Sequence, residues 1–520
     1  MRDRDPHAHV IGIFRNNPEP ARVTTTMNCR LSMLGRFPRQ VRMLHSKITS
    51  LDEAMKFIRP GQTILSGGFG TCGIPDTFLT EIAKHPETLN KFTLASNNGG
   101  APGFGVDRLI NKHQISRMIM SYIGARAKET LRQFMTGELD IELTPQGTLA
   151  ERARAGGAGV GAFYTRTGTN TWVEEGKMPL RHDQNGQVIE HSKKKETRVI
   201  DGIKYILEYP LKGDVALVHA SKADHEGNLY FEGSTANFNE VFAKAAQVTL
   251  VEADEIVETG TLHPNDVHLP GLFVTKVVQS TAPKHIEVLK LETSDKTETK
   301  SEGVREKIAR RVALELKNGS YCNLGVGLPT LVPSYLPEGI EVKLESENGL
   351  LGLGPYPSSE EEASADLINA GKEACTLLPG ASAFSSDVSF GLIRAGKLDT
   401  TILGAIEVSQ YGDLANWGLP GRIFGTGGAM DLVSNPDDTR VIVATTHTDK
   451  KGQSKIVSRC EAPLTGAHCV NLIVTELAVF EVHKERGLTL VDIQSGSSIE
   501  EIKAKTSAPF NVAFKDSPKL

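Results

Sequence analysis

Short apolar runs rich in β-branched residues alternate with helical patterns and glycine-rich turns along most of this chain. Short buried strands separated by helices are typical of parallel α/β sheets, because the helices cover the faces of the sheet. The pattern therefore predicts an α/β fold with mainly parallel sheets and flanking helices. The runs that carry this prediction are QTILSGGFG, KFTLASNNGG, DVALVHAS and AQVTLVEAD, followed by YCNLGVG, IEVKLESENG, TTILGAIEV and TRVIVATTH.

Two polar segments interrupt this alternation. The segment ETSDKTETKSEG has almost no large apolar residue, which is typical of a linker. The segment RHDQNGQVIEHSKKKETRVIDG carries the pair Asn185-Gly186, which suits a tight turn and predicts a solvent-facing hairpin inside the first half. We therefore expect one domain at 46–287, a linker at 288–303 and a second domain at 304–520.

The two halves resemble each other. GQTILSGGFGTCGIP followed by FTLASNNGG parallels GSYCNLGVGLP followed by VKLESENGLLG. In both, a strand enters a glycine-rich turn that ends in proline, and a second strand ends in Ser-x-Asn-Gly, which predicts a duplicated domain. The alignment places Asn97 opposite Glu347. Because only one copy carries a charge there, we expect the chemistry to lie in the second half.

The N-terminal segment differs from the rest in charge. Residues 27–50 contain no Asp or Glu, and their basic residues are Arg30, Arg36, Arg39, Arg42 and Lys47. This composition is typical of a mitochondrial transit peptide and predicts a leader at 1–45 that lies outside the fold. The first 26 residues fit less well because they include acidic residues, so an extension without a targeting role is the alternative.

Composition narrows the class of protein. With 520 residues the chain is too long for one hydrophobic core, and its net charge of -5 predicts neither nucleic acid nor an anionic membrane as a partner. No apolar run reaches the roughly 20 residues that span a bilayer. The cysteines are scattered without a C-x-x-C pair, which indicates free thiols in a reducing compartment. They are Cys29, Cys72, Cys322, Cys375, Cys460 and Cys469.

A dinucleotide motif is present but incomplete. Gly68, Gly70 and Gly73 form G-x-G-x-x-G after an apolar strand. The next strand ends in ASNNGG without the acid that would hold a ribose, and Pro75 opens the following helix. A tight structural turn, or a turn that presents its amides to another ligand, is favoured over NAD binding. No P-loop, G-x-S-x-G or H-E-x-x-H motif occurs, and no histidines pair at metal-ligand spacing, so we expect neither a metal nor a redox cofactor.

Glu347 is the candidate reactive group. It lies in SENGLLGLGPYP, one of three glycine-rich loops that we expect at one edge of a sheet; the others are NLGVGLP and GTGGAMDLV. A carboxylate with a solution pKa of about 4.3 is ionised at neutral pH and needs no base. It needs an activated electrophile such as a thioester, and N–H donors for the resulting oxyanion. The alternative is an ordinary acid in a turn.

Several long segments, in the same order, resemble the family I CoA-transferases over nearly the whole chain after the leader. These segments are SGGFGTCGIP, ELTPQGTLAERARAGGAGVGAFYT, SENG with GLGPYP, DLINAGKEACTLLPGAS, YGDLANWGLPG and GGAMDLV. The resemblance is nearest to mitochondrial members that move CoA from succinyl-CoA to a 3-oxoacid such as acetoacetate. Members of this family contain two related α/β domains, fused or as separate subunits, which agrees with the duplication.

The resemblance implies a CoA transferase of the mitochondrial matrix that works as a homodimer, through a covalent glutamyl-CoA thioester and without a cofactor. It assigns the catalytic role to Glu347, the oxyanion donors to the Gln146 side-chain amide and the Gly428 backbone N–H, and substrate or CoA contacts to Asn98, Asn323 and Lys372. Taken without the family, each of these positions also suits a turn cap, a satisfied backbone group or a solvated charge.

The chain departs from the family pattern at two positions. Glu345 stands where the family usually has His or Gln, and Gly161 stands where Pro is common. Residues two apart in a strand face the same side, so Glu345 is expected to raise the pKa of Glu347. Two alternative functions remain at this point: a CoA-transferase with acetate or another short acid as acceptor, and a non-catalytic protein that binds CoA or NAD.

Overall fold

The computed structural model describes residues 46–124, 127–292, 303–419 and 422–514. The predicted leader at 1–45 and residues 293–302 of the predicted linker lie outside the described residues. In the part of the chain that is described, no helix is both long and apolar enough to cross a bilayer.

The first half is an α/β unit. Its strands are β1 (Thr63–Ser66), β2 (Phe92–Ala95), β3 (Ile115–Met120), β4 (Asp140–Leu143), β5 (Phe163–Thr165), β6 (Pro179–His182), β7 (Val188–His191), β8 (Thr197–Ile200), β9 (Ile203–Glu208), β10 (Gly213–Asp224), β11 (Leu229–Tyr230), β12 (Ala246–Val257) and β13 (Lys276–Gln279). Its helices are α1 (Leu51–Met55), α2 (Asp76–Ala83), α3 (Asp107–Asn111), α4 (Lys128–Met135), α5 (Gln146–Gly157), α6 (Trp172–Glu175) and α7 (Asn237–Lys244), with 3-10 turns at Pro264–Asp266 and Gly271–Phe273.

The second half has the same class of architecture. Its strands are β14 (Tyr321–Leu324), β15 (Lys343–Ser346), β16 (Leu350–Leu353), β17 (Leu377–Ala383), β18 (Thr400–Leu403), β19 (Glu407–Ser409), β20 (Leu414–Ala415), β21 (Gly418–Leu419), β22 (Arg422–Ile423), β23 (Arg440–Ala444), β24 (Ile456–Val457), β25 (Leu472–Val474), β26 (Ala478–His483), β27 (Gly487–Ile493) and β28 (Phe510–Val512). Its helices are α8 (Val304–Ala313), α9 (Ser386–Arg394), α10 (Ala429–Leu432) and α11 (Ile499–Lys505), with a 3-10 helix at Pro329–Tyr335.

The two main sheets confirm the predicted duplication. The first has the strand order β13-β12-β10-β1-β2-β3-β4, and every neighbour in this order pairs in parallel. The second has the order β17-β16-β15-β14-β18-β23-β25-β26-β27-β28, in which β25-β23-β18-β14-β15 is parallel. This parallel block matches β13-β12-β10-β1-β2 strand for strand. The eight apolar runs of the sequence supply β1, β2, β10, β12, β14, β15, β18 and β23.

The halves diverge after the Ser-x-Asn-Gly turn. In the first half the chain continues through α3 to β3, which is parallel to β2. In the second half it reverses at once into β16, which is antiparallel to β15. Glu347 therefore lies in a tight hairpin, whereas Asn97 lies at the start of a long crossover.

The polar excursion of the first half folds as predicted. Strands β6 and β7 form an antiparallel hairpin, and Gly186 N donates to Asp183 O at 3.1 Å in its turn. A second hairpin pairs β8 with β9. Most of β7 and β8 is exposed, which agrees with the polar composition of the segment.

A hydrophobic core continues from one half into the other. Leu149 on α5 and Phe242 on α7 belong to the same buried cluster as Phe390 and Ile393 on α9. Because burial of large apolar side chains is the main stabilising contribution to such an interface, this packing fixes α5 relative to α9. It thereby brings the N-terminus of α5 close to the Glu347 turn.

Candidate active site

Glu347 lies in a three-residue hairpin loop between β15 and β16, since Ser346 pairs with Leu350. The loop closes with a hydrogen bond from Gly349 N to Ser346 O at 2.9 Å. Gly349 has φ +109°, and a Cβ atom there would lie 1.9 Å from Phe384 O. Only glycine fits both the backbone conformation and the space, which explains the fixed place of glycine after Glu-Asn.

The neighbours of Glu347 are held by the protein. Ser346 Oγ donates to Asn348 Oδ1 at 2.6 Å and accepts from Ala370 N at 2.7 Å. Asn348 Nδ2 donates to Ile368 O at 2.7 Å. The loop is therefore fixed on both sides of Glu347, so its side chain is presented in one position.

The Glu347 carboxylate lies against Gly428, at the N-terminus of α10. A Cβ atom at Gly428 would lie 1.8 Å from Glu347 Oε2 and 3.1 Å from Phe390 Cε1. Glycine at 428 is thus required for the close approach of the carboxylate to the backbone. Glu347 is only partly buried, so part of its surface is accessible to solvent. Two of the three glycine-rich loops therefore meet, as the sequence predicts.

The pKa of Glu347 differs from the expectation for a solution carboxylate. Burial, then the charges of Glu345 and Asp431, raise it to about 8. The expectation that this group is fully ionised at neutral pH is therefore wrong, because dense packing disfavours the charged form. Burial also raises the pKa of Glu345 to about 7 and that of Asp431 to about 6. The predicted effect of Glu345 on Glu347 has the expected sign but is smaller than that of burial.

The first half contributes Gln146, the first residue of α5. Its Oε1 accepts from Ser121 Oγ at 3.1 Å, and its backbone N donates to Gly427 O at 3.0 Å. Gly427 N in turn donates to Ser121 O at 3.0 Å, so the loop before Gly428 is bonded to the first half. The Gln146 Nε2 is buried and has no hydrogen-bond partner among the described residues. A buried donor without a partner is costly, and this donor has the capacity to bind an acceptor.

Asp431 joins the two halves behind this arrangement. It is fully buried and accepts from Gly147 N at 2.8 Å and from Thr167 Oγ1 at 2.9 Å, with Arg394 Nη1 at 3.8 Å. The sequence analysis did not single out Asp431. Its only signal was its place in GGAMDLV, because its partners are distant in the chain.

The structure gives Asn323 a direct link to the strand of Glu347. Its Nδ2 donates to Glu345 Oε2 at 2.8 Å, and both residues are buried. Ser389 Oγ on α9 donates to the other oxygen of Glu345 at 2.7 Å. Neither Ser389 nor this network was foreseen from the sequence.

Asn98 and Lys372 lie elsewhere among the described contacts. Asn98 is buried in its own turn, where its Nδ2 donates to Asn97 Oδ1 at 2.9 Å and its Oδ1 accepts from Gly100 N at 2.8 Å. Lys372 has φ +65° and pairs with Glu287 at 3.3 Å, against the Gly70 turn. The described contacts do not join either residue to Glu347. Their substrate roles stay predictions.

A cleft of about 1610 Å³ opens beside β15. Glu345, Ser346 and Gly371 lie on its wall, together with the basic residues Lys290 and Arg310. The NLGVGLP loop contributes Leu324 and Val326 to the same wall. The third glycine-rich loop therefore borders the approach to the turn and does not touch the carboxylate in the described contacts.

The G-x-G-x-x-G segment uses its amides internally. Gly68 N donates to Asn237 Oδ1 at 3.2 Å, while Phe69 and Cys72 exchange backbone hydrogen bonds at 2.9 and 3.0 Å. All three motif glycines have positive φ. These three amides are therefore bonded within the protein, and the motif includes a tight turn. Within the described residues, no group of three His, Cys, Asp or Glu side chains is arranged to hold a metal.

Comparison with known proteins agrees with this geometry. The coenzyme A transferase family matches residues 48–280 and 305–505, one segment in each half. The chain is 45% identical over 465 residues to succinyl-CoA:3-ketoacid coenzyme A transferase 2A, mitochondrial, from Mus musculus, covering 89% of this chain and 88% of that protein. It is 46% identical over 466 residues to the transferase 2 of the same name from Homo sapiens, covering 89% of each.

A solved structure shows the same fold. The apoenzyme of the acyl-CoA transferase YdiF from Escherichia coli O157:H7 superposes with a TM-score of 0.71 at 21% identity, covering 90% of this chain and 94% of that one. Together with the family match in both halves, these findings establish that the chain belongs to the coenzyme A transferase family.

Proposed function

We propose that this protein transfers CoA from succinyl-CoA to a 3-oxoacid such as acetoacetate, with Glu347 as the nucleophile. One observation carries the proposal: the Glu347 carboxylate lies against the Gly428 backbone, where a Cβ atom would be 1.8 Å away, beside a half that presents the unpartnered Gln146 amide. The names of the mouse and human relatives support the choice of substrates.

The chemistry proceeds through acyl exchange. The Glu347 carboxylate attacks the thioester carbon of succinyl-CoA and expels CoA as a thiolate, leaving a mixed anhydride. The thiolate attacks the glutamyl carbonyl of the anhydride, which releases succinate and leaves CoA bound to Glu347 as a thioester. Acetoacetate then attacks this thioester, and the returning thiolate takes the acetoacetyl group and frees the carboxylate. The bond energy of the thioester is retained only if water is excluded from both intermediates.

Two groups are proposed to stabilise the oxyanion. The Gln146 Nε2–H and the Gly428 N–H come from different halves, and the two segments are joined by the hydrogen bond from Gln146 N to Gly427 O. Donors that are held in place before the reaction stabilise developing charge without reorganisation. The ionised form of Glu347 attacks, so a pKa raised to about 8 predicts activity that increases from pH 6 to pH 9.

The remaining assignments are proposals of the same kind. Asn323, whose Nδ2 donates to Glu345, and Asn98, which lies in the turn beside Asn97, are proposed to contact substrate. Lys372 is proposed to contact CoA from the Gly70 side of the protein.

Intact mass spectrometry tests the central claim. Incubation with acetoacetyl-CoA should add one CoA less one water to the protein, and hydroxylamine should remove it. Peptide mapping should place the adduct on Glu347, and Glu347→Gln should show neither adduct nor transfer. The matched control is Glu341→Gln, an exposed position just before β15, which should retain both. An adduct on another residue, or full transfer by Glu347→Gln, contradicts the proposal.

The acceptor acid is the open choice within this function. A panel of acetoacetate, acetate and other short acids, compared by kcat/KM, separates a 3-oxoacid transferase from one that uses acetate. We expect acetoacetate to be preferred by at least about tenfold, since an added polar group with a matching partner in the site is worth about that factor. Equal values of kcat/KM for acetate and acetoacetate favour a transferase that uses acetate as acceptor.

We also propose the cellular setting and assembly. The acid-free basic segment 27–50 and the mitochondrial names of the relatives support a leader at 1–45 that directs the protein to the mitochondrial matrix. A homodimer is supported by edge strand β17, which is largely exposed and includes Leu377 and Leu378. Light scattering of the purified protein and import of a leader fusion test these two points.

A further inference from the structure

A second buried carboxyl, Glu345, lies on the same strand as Glu347 and two residues before it. Glu345 pairs in register with Asn323 on β14, and Asn323 pairs with Thr401 on β18. All three side chains are buried. Since register partners on neighbouring parallel strands point to the same face of the sheet, they form a polar row beneath the Glu347 turn.

The equivalent row in the first half is apolar. There Ala95 on β2 pairs with Leu65 on β1, which pairs with Ala216 on β10, and all three are fully buried. The two rows occupy the same strands of a duplicated sheet, so the fold itself does not require polar groups at these positions. A buried carboxyl is unfavourable unless it is paired, and its presence in only one half indicates a role beyond packing.

Glu345 is held by donors on both oxygens. Asn323 Nδ2 donates to Oε2 at 2.8 Å, and Ser389 Oγ from α9 donates to Oε1 at 2.7 Å. These bonds fix the Asn323 carboxamide in one orientation. They also stabilise the ionised form of Glu345.

Glu347 has no such support, because no described residue donates a hydrogen bond to its carboxylate. A negative charge on Glu345 opposes ionisation of Glu347, which is one cause of the raised pKa of Glu347. The other charged group that faces Glu347 is Asp431 from α10, itself near Arg394 of α9, while α5 presents the neutral Gln146.

We propose that Glu345 is a positioning residue of this site, which orients the Asn323 carboxamide and places a second carboxyl group beside Glu347. The proposal rests on the proposed function of Glu347. It adds a role for a residue that stands where the family usually has His or Gln.

The test compares the pH dependence of kcat/KM in three variants. Glu345→Gln keeps an acceptor for one of the two donors but removes the charge, so its acid limb should move to lower pH by about one unit. Glu345→Ala installs the residue that the first half has at the equivalent place, Ala95. It should show the same shift and a plateau lower by about tenfold, because Asn323 loses its acceptor. Glu341→Gln, the exposed control, should keep the wild-type profile.

The outcomes separate the two proposals. An acid limb of Glu345→Gln that coincides with the wild type overturns the inference, even if Glu345→Ala fails to fold. An acid limb at lower pH in Glu345→Gln supports it, since a purely structural role does not move the pH profile, and a higher plateau for Gln than for Ala assigns the plateau to the contact with Asn323. Absence of a CoA adduct in the wild-type protein instead overturns the proposed function, and it is measured by mass in the same samples.

Discussion

The two halves of this protein share one sheet architecture but differ in what lies beneath one turn. In the first half the row Ala95–Leu65–Ala216 is apolar, and the turn above it carries the amide Asn97. In the second half the row Glu345–Asn323–Thr401 is polar, and the turn carries Glu347. The difference shows that the two turns are distinguished by a few side chains within a shared set of strands.

Both halves also contribute residues to the proposed site. The second half supplies Glu347 and Gly428, and the first supplies the Gln146 amide. Asp431 ties them together by accepting from Gly147 N at 2.8 Å. The first half is therefore a partner in the proposed chemistry even though its own turn has no charge. The predictions below test this division.

The largest expected effect comes from exchanging the two turn residues. The double variant Asn97→Glu with Glu347→Asn should lose transfer by about 10⁴-fold or more, because Gly428 approaches position 347 and not position 97. Steady-state transfer and adduct mapping measure it. Recovery of transfer with CoA attached to residue 97 would show that the two turns are interchangeable. It would contradict the proposed difference between the halves.

A smaller but still large effect is expected at Gly428. In Gly428→Ala the new methyl group would occupy the place of Glu347 Oε2, 1.8 Å away, so kcat should fall by about 10³-fold. The control is Gly391→Ala in α9, where an added Cβ meets nothing within 4 Å. Equal activity of both variants would mean that the close approach of the carboxylate to the backbone has no function.

The contribution of the first half is tested at Gln146. Gln146→Met keeps the approximate shape but removes the unpartnered donor, and kcat should fall by about 10²-fold. Gln133→Met serves as the control, since Gln133 is also buried but its Nε2 donates to Ile110 O at 2.8 Å and lies in α4. The Gln133→Met control should lower the stability of the protein and leave kcat per folded molecule unchanged. A wild-type kcat for Gln146→Met would mean that the Gln146 amide of the first half takes no part in the reaction.

The smallest effect concerns stability against pH. The pKa of Glu347 is raised to about 8 in the folded protein, above its value of about 4.3 in an unfolded chain. The unfolded state therefore releases its proton first, and the wild type loses stability as the pH increases through this window. Glu347→Gln should match the wild type near pH 4 and exceed it in stability at pH 9, because only the wild type must hold a carboxyl in its protonated form that the unfolded chain ionises. Thermal unfolding at both values measures the difference, and an equal gain at pH 4 contradicts the assignment to ionisation.

The sequence predicted the strands and the duplication because both depend on local patterns. Apolar runs bounded by glycine gave β1, β2, β14 and β15, and the Asn-Gly pair correctly marked the β6–β7 hairpin. The meeting of Glu347 with Gly428 was also expected, since the carboxyl ends of parallel strands lie at one edge.

The energetics of the site were not available from the sequence. The raised pKa of Glu347 arises from burial and then from the charges of Glu345 and Asp431, and both the burial and the contact with Asp431 depend on parts of the chain that are distant in sequence. Ser389 looked like any residue of an amphipathic helix, yet it donates to Glu345. Asn98 and Lys372 were placed by family resemblance, and their described partners, Asn97 and Glu287, depend on tertiary contacts that no local pattern encodes.

The hydrogen bonds of the Gly427 loop with Ser121 and Gln146 have a consequence for mild denaturation. Glu347 and Gln146 belong to the two sides of an interface that is closed by the shared hydrophobic core, by these bonds and by the buried Asp431, whereas each sheet is closed by the hydrogen bonds of whole strands. Low urea concentrations should therefore weaken the packing between the two halves and abolish turnover, while circular dichroism still reports intact sheets. Activity is in this sense expected to depend on how the two halves pack against each other. It can be lost in a molecule whose halves both remain folded.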